Sequence, residues 1–296
     1  MQSVANPSSV SAMTPTDTTD LFGIPEWRAI HRETSLVRHL IGSGATAIGR
    51  ANYADQAGEY YTAFFALSVG LERLAKLILV AEYSISNGGG MPDEALVRRF
   101  GHKLGDLMDA VSAAAERSHF ETEFQRPRNG IPRKIIASLD AFADANRGRY
   151  VNFSSLGNPS LGENEPINKW WSEVAELILA EHYYGKAIQA RVERNATLVS
   201  NLTSSFTFVR HVSETGNIMD SVREASVRTG QTAIVQKYGR FYALTLVRWL
   251  AALYCKASRM AFHSHGVLAF FGSWELLSSY TLDDRFLKNR KVWPLS

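Results

Sequence analysis

Apolar residues recur every three or four positions through much of the chain, most clearly between Tyr60 and Tyr83. The residues with this spacing are Phe64, Leu67, Leu71, Leu74 and Ile78. Such spacing places side chains along one face of a helix, and an apolar face must pack against other helices. We therefore predict a central helix from Asn52 to about Ser86.

This stretch is long and apolar enough to be considered as a membrane span, but Glu72, Arg73 and Lys76 lie near its centre. Three ionisable groups at that depth argue against a span. Glu72 and Lys76 are four residues apart, the spacing that pairs side chains on a helix surface. We predict a buried helix whose charged residues form an ion-pair network between helices, with Arg149 as a further partner.

The same periodicity predicts helices elsewhere in the chain and therefore an all-α fold. The β-branched and aromatic segment from Ser204 to Val212 is the one stretch compatible with a strand, and it is left open. The other predicted helices run from near Pro25 to near Arg50, from after Gly101 to after Val111, from about Pro132 to Asn146, from about Asn168 to Asn195, and from about Gln231 to His263.

Composition divides the chain into three parts. Residues 1–22 are polar, with no Lys, Arg or apolar run in the first twenty, which indicates a disordered tail rather than a secretory signal. We predict a helical bundle over residues 23–200 and a C-terminal helical extension packed on it over residues 201–296. Residues 154–167 are rich in Gly, Pro, Ser and Asn, which predicts a loop and the best candidate boundary.

Overall composition narrows the function classes. The chain has 296 residues, 45% of them apolar, and a net charge of +3, so nucleic acid is permitted as a partner but not demanded. A single cysteine, Cys255, excludes a disulfide framework and a cysteine-rich zinc site, and it fits a reducing cytoplasm. The sequence lacks phosphate-binding glycine loops, a Gly-x-Ser-x-Gly elbow and a His-Glu-x-x-His motif. We therefore predict no metal and no cofactor.

Two phrases carry a family resemblance. AFFALSVGLERLAKLILV is followed, after a glycine-rich loop, by GHKLGDLMDAV, and the pair resembles the HEPN superfamily over roughly residues 25–156. The resemblance implies a helical bundle that forms a homodimer. It also implies RNA as a partner and, in active members, a metal-independent endoribonuclease serving as a toxin, in defence or in RNA processing, with an antitoxin or defence-system protein as a further partner. The matching residues are Gly70, Leu71, Glu72, Arg73, Leu74, Lys76, Gly101, His102, Lys103 and Leu104.

The active members of that superfamily have an Arg followed, after four to six residues, by a His. The His acts as acid or base on the ribose hydroxyl or leaving oxygen, and the Arg neutralises the pentavalent phosphate. At the expected position, Arg147 and Arg149 have no His at this spacing. The protein is therefore either a catalytically inactive module that binds RNA, nucleotide or a partner protein, or an enzyme whose active residues lie elsewhere.

The predicted helix that ends near His263 offers such residues. Arg259 and His265 satisfy the spacing, and His263 lies one helical turn from Arg259, so we predict these three as catalytic. The alternative is a solvated basic helix face, since charged runs commonly have no other role. His102, at a helix start, is interpreted as a structural residue that satisfies a backbone group. The predicted RNA-binding residues are Arg248, Lys256, Arg98, Lys103, Arg147 and Arg149.

Overall fold

The structure is a computed structural model that describes residues 22–128, 130–144, 148 and 150–294, without the side chains of residues 159, 161 and 163. Most of the predicted N-terminal tail lies outside the described residues. So do Arg147 and Arg149, and with them the predicted partner of the charged cluster.

The described residues are mostly helical with almost no strand, which confirms the all-α prediction. Trp171–Ala175 forms a π-helical turn, and 3-10 turns occupy Pro159–Asn164 and Leu268–Phe270. The α-helices are α1 (Pro25–Ile48), α2 (Gly58–Ser86), α3 (Glu94–Arg99), α4 (Leu104–Arg117), α5 (Gly130–Ala143), α6 (Val151–Gly157), α7 (Pro166–Trp170), α8 (Glu176–His182), α9 (Ala187–Thr203), α10 (Val222–His265), α11 (Glu275–Ser278) and α12 (Asp284–Asn289).

Helix α2 lies at the centre of the molecule, in contact with α1, α4, α5 and α10. All five residues of its predicted apolar face are buried, which confirms that prediction. Its closest neighbour is α1, and two glycines permit the approach. A Cβ added at Gly44 would lie 2.7 Å from Leu67 Cγ, and one added at Gly70 would lie 2.8 Å from Ile41 Cγ1. Each helix therefore has a glycine where a side chain of the other helix approaches it.

Helix α10 is the longest element, at 44 residues. It begins earlier than the predicted Gln231, because the Ser221 hydroxyl caps it by accepting a hydrogen bond from the Glu224 amide at 3.1 Å. It ends at Gly266, whose φ of 65° is a left-handed conformation that glycine adopts without strain. The second half of α10 packs into the bundle, and a single apolar core extends from Ile30 to Trp293.

Two predicted elements differ from the structure. The helix predicted from Asn168 to Asn195 is interrupted between α8 and α9, where Gly185 has a φ of 71°. Residues 154–167, predicted as a loop, lie mostly in α6, a 3-10 turn and the start of α7. Side chains that pack on the bundle account for this, since Val151, Pro166 and Ile167 are buried.

The segment from Ser204 to Val212, which was compatible with a strand, contributes little β-structure. Only the last two residues of the segment are extended, as strand β1 (His211–Val212), which pairs antiparallel with β2 (Ile218–Met219). His211 lies opposite Met219 and Val212 opposite Ile218. The result is a short hairpin immediately before α10.

The charged cluster on α2 forms the predicted network between elements. Arg73 pairs with Glu33 of α1 at 2.6 Å, while Glu72 pairs with Lys76 at 2.8 Å. The prediction for His102 is wrong in its partner, since its Nδ1 lies 2.8 Å from a carboxylate oxygen of Glu72 rather than on a backbone group. Glu72 thus links α2 to His102, in the segment immediately before α4.

None of the helices in the described ranges is both long and apolar enough to cross a lipid bilayer.

Candidate functional site

The last turns of α10 present three basic side chains on one face. Lys256, Arg259 and His263 are spaced three and four residues apart, so they follow one another along the helix surface. They line a cavity of about 540 Å³. We call this the basic cavity. Its other walls include Thr122 and Phe124 from the segment after α4, and Ser278 and Thr281 from the end of α11 and the loop that follows.

Charge in the basic cavity is predominantly positive. Lys256, Arg259 and His263 are exposed, and among the described residues neither Lys256 nor Arg259 forms an ion pair. Glu123, itself exposed, is the one carboxylate among the described lining residues. Because positive charge in a concave surface focuses the local potential, the cavity attracts anions.

The indole of Trp274 lies beside two of these side chains. Its ring centroid is 5.9 Å from the Arg259 guanidinium carbon and 5.6 Å from the His263 ring centroid. A guanidinium over an indole face is held by electrostatic attraction to the ring, so Trp274 restricts where Arg259 points.

Cys255 also lines the basic cavity, but its thiol is a poor nucleophile. Burial raises the pKa of its thiol to about 11, which the nearby Arg259 only partly opposes. The thiol is therefore protonated near neutral pH, and a protonated thiol is a poor nucleophile.

His265, predicted to act with Arg259, is not among the residues that line the basic cavity. His265 is six positions after Arg259, and six helical steps turn its side chain roughly 120° away from that of Arg259. His265 lies in the exposed last turn of α10. The structure therefore places Arg259 with His263 rather than with His265.

Arg248, predicted to bind RNA, is already engaged within the protein. Its guanidinium forms an ion pair with Asp284 at 2.8 Å, donates to the Leu282 carbonyl at 3.2 Å and lies 4.5 Å from the centroid of the Phe124 ring. The side chain is 14% exposed. Arg248 therefore lies behind a wall of the basic cavity, against Phe124, and is not among the residues that line it.

The remaining predicted RNA-binding residues lie elsewhere. Arg98 forms an exposed ion pair with Glu94, one turn away on α3, at 2.5 Å. Lys103 lines a separate cavity of about 860 Å³ with His102 and Lys169. Arg147 and Arg149 lie outside the described residues, so the structure does not place them.

One carboxylate in the cavity that Lys103 lines, that of Asp140, has a structural role. Asp140 accepts hydrogen bonds from the Leu104 and Gly105 amides at 2.5 and 3.1 Å, and so satisfies the first amides of α4. Among the described residues, no group of three or more His, Cys, Asp or Glu side chains is arranged to hold a metal ion.

Sequence reasoning missed Phe124, which lines the basic cavity, and Trp274, which lies beside Arg259. Phe124 and Trp274 are more than a hundred residues apart, and no local motif links either to Arg259. Their shared location follows only from the packing of α10 between the two segments.

Comparisons of the chain with protein-family models, curated proteins and solved structures found no match.

Proposed function

We propose that the protein binds RNA by placing backbone phosphates in the basic cavity. The observation that carries this proposal is the set of Lys256, Arg259 and His263 on one face, with neither Lys256 nor Arg259 in an ion pair among the described residues. Cationic side chains that no internal carboxylate neutralises are free to replace the counterions of a phosphate chain. The aromatic Trp274, beside Arg259, adds a surface on which an unpaired base can stack.

The resemblance of residues 25–156 to the HEPN superfamily supports RNA, rather than another polyanion, as the ligand. It also supports, as part of the same proposal, a role in a bacterial defence or toxin system as a homodimer, with an antitoxin or other defence protein as its partner. These assignments are part of the proposal and rest on the quoted sequence phrases.

The affinity of a short fluorescent single-stranded RNA tests the binding site. We expect Arg259→Gln to weaken binding about tenfold, equivalent to about 1.4 kcal/mol, through loss of one charged phosphate contact. Arg191→Gln is the matched control, because it removes the same charge from an exposed position on α9. Equal loss of affinity in both variants would show that RNA is held by general surface charge and not by the basic cavity.

A second candidate is metal-independent cleavage of that RNA, favoured by the presence of an imidazole beside Arg259. His263 would take the proton of a ribose 2′-hydroxyl as its oxygen attacks the adjacent phosphorus, while Arg259 stabilises the negative charge that develops. The bond to the 5′-oxygen breaks, the leaving oxygen receives a proton from Lys256, and a 2′,3′-cyclic phosphate is formed.

Incubation with RNA in EDTA decides between binding alone and cleavage. Cleavage predicts products with cyclic-phosphate ends, which His263→Ala abolishes while Lys256 and Arg259 still bind the RNA. His265→Ala serves as the control and should cleave normally, because its side chain lies outside the basic cavity. Intact RNA with the wild-type protein, under conditions where RNA is bound, identifies a binding module without catalysis.

A further inference from the structure

A second, differently charged cavity lies at the opposite end of α10. Its volume is about 320 Å³, and its walls come from the start of α2, from α7 and from the turn between β1 and β2. We call it the tyrosine pocket, after Tyr53, Tyr60 and Tyr61, which line it together with Glu165 and Glu214. None of its described lining residues is basic.

Glu214 is fixed at the base of the tyrosine pocket. Its side chain is 1% exposed and pairs with Arg228 of α10 at 2.8 Å, while its other oxygen accepts the Tyr60 hydroxyl at 3.2 Å. The Trp171 indole donates to the Tyr60 oxygen at 2.8 Å, and the Arg228 guanidinium carbon lies 3.7 Å from the Trp171 ring centroid. This network holds the β1–β2 turn against the bundle and so sets the shape of the pocket.

Glu165 supplies a carboxylate whose charge no described residue neutralises. One oxygen accepts the Tyr61 hydroxyl at 2.5 Å and the other accepts the Asn168 amide at 2.8 Å, but among the described residues Glu165 forms no ion pair. A carboxylate has about four acceptor positions, so each oxygen retains capacity for another donor. Glu165 is half-buried, and the exposed residues Val212 and Gly216 lie at the rim.

The phenols of Tyr60 and Tyr61 stay neutral. Burial raises the pKa of Tyr60 well above its ordinary value, and burial together with the hydrogen bond to Glu165 raises the pKa of Tyr61 to about 12. The pocket therefore combines uncharged aromatic rings with an uncompensated carboxylate. Rings attract cations through their electron-rich faces, and a carboxylate accepts hydrogen bonds from an ammonium group.

We propose that the tyrosine pocket binds a small organic cation with a primary ammonium group, either a free amine or a lysine side chain of another protein. Glu165 accepts its N–H groups, and the rings of Tyr53 and Tyr61 contact its carbon chain. A volume near 300 Å³ suits a ligand of this size. The site is independent of the basic cavity, because Arg228 and His263 are 35 residues apart on α10, roughly 50 Å along a helix.

Calorimetric titration of the full chain without RNA tests the site. The probes are putrescine, for a free amine, and N-acetyl-lysine amide, for a peptide lysine. We expect saturable binding of one molecule per chain for at least one probe, and the tighter probe identifies the source. Glu165→Gln should weaken that binding at least about tenfold, because it removes a charged hydrogen-bond acceptor. Tyr53→Leu should weaken it about fivefold through loss of an aromatic face.

Glu173→Gln is the matched control, because Glu173 pairs with Lys134 and lies outside the tyrosine pocket. It should bind the probe as tightly as the wild-type protein. Glu165 is chosen over Glu214 because the buried pair with Arg228 makes a Glu214 variant prone to unfolding. Absence of saturable binding of both probes, or equal affinity in the Glu165→Gln and Glu173→Gln variants, would overturn the proposal.

Discussion

Arg248 and Lys256 are both basic residues of α10, two turns apart, but the structure gives them opposite roles. Arg248 is enclosed by Asp284, the Leu282 carbonyl and the Phe124 ring, whereas Lys256 is exposed in the basic cavity. Spacing in the sequence cannot show which of the two is enclosed, because the partners of Arg248 are distant in the chain. Leu282 and Asp284 lie 34 and 36 residues downstream, and Phe124 lies about 120 residues upstream. Basic residue type alone therefore predicts charge but not whether that charge is available.

We predict that Arg248→Gln destabilises the protein by about 1–3 kcal/mol, because it removes charged hydrogen bonds from a mostly buried site. Urea unfolding followed by circular dichroism measures the change. Lys256→Gln, the control on the same helix, should unfold at the wild-type urea concentration. Unchanged stability in the Arg248 variant would contradict its assignment as a structural residue.

His182 provides a pH-dependent contribution to stability. It stacks on Tyr238 with ring centroids 3.6 Å apart, and Nε2 lies 2.9 Å from the Tyr242 hydroxyl, which itself donates to Glu181. Burial lowers the pKa of His182. The carboxylate of Glu181 opposes this shift, whereas three nearby lysines lower the pKa further: Lys288, Lys186 and Lys237. The folded state therefore prefers the neutral ring.

Because the pKa is lower in the folded than in the unfolded state, the unfolded chain binds more protons as the pH falls below the ordinary histidine range. The stability from neutral His182 is present above that range and is lost on acidification. We predict that His182→Phe, which retains a stacked ring, loses less stability between pH 7.5 and pH 5 than the wild-type protein does. Thermal melts at both pH values measure the difference, and an identical loss would exclude His182 as the group responsible.

Among the elements, α1 and α2 pack closely because glycines, which lack a side chain, lie at their contact. Gly44 faces Leu67, and Gly70 faces Ile41, so each helix has a glycine where the other approaches. The periodic apolar pattern predicted both helices, yet in the sequence Gly42 and Gly44 resemble weak points of α1. Tertiary contact explains them, since an added Cβ at Gly44 would also lie 3.0 Å from the Leu67 backbone nitrogen.

We predict that Gly44→Ala lowers the free energy of unfolding by about 1–3 kcal/mol, because the overpacked methyl group outweighs the better helix propensity of alanine. Gly58→Ala is the control, as an added Cβ there meets nothing within 4 Å. It should leave stability unchanged or raise it by up to about 1 kcal/mol. Both values come from urea unfolding, and a stabilised Gly44→Ala protein would show that the helices are not in close contact there.

Helix boundaries were less predictable than helix faces. The start of α10 could have been predicted, since Ser221 followed by Glu224 is a capping pattern. The prediction began the helix later because the clearest apolar periodicity comes from the aromatic face further along it. The break after His182 coincides with Gly185, whose φ is 71°. The helical turns within residues 154–167 pack side chains such as Pro166 and Ile167 into the bundle, which composition does not reveal. Local patterns thus predict which residues are buried better than where an element ends.

At the scale of the whole molecule, both cavities are assembled from segments far apart in the chain. The basic cavity combines α10 with residues near 123 and 280, and the tyrosine pocket combines α2, α7 and the β1–β2 turn. The sequence identified the basic residues of α10 because they follow one another on a single helix. It contained no comparable signal for Glu165 and Glu214, whose proximity exists only in the folded bundle.

The central claim, that phosphates of RNA occupy the basic cavity, is tested most directly by the salt dependence of RNA affinity. For single-stranded nucleic acid, each phosphate contact contributes a slope of about 0.7 to the plot of log affinity against log salt concentration. We predict that replacing both Lys256 and Arg259 with Gln lowers the slope by about 1.4, whereas Arg191→Gln and Arg248→Gln leave it unchanged. Parallel plots for the double variant and the wild-type protein would contradict the claim.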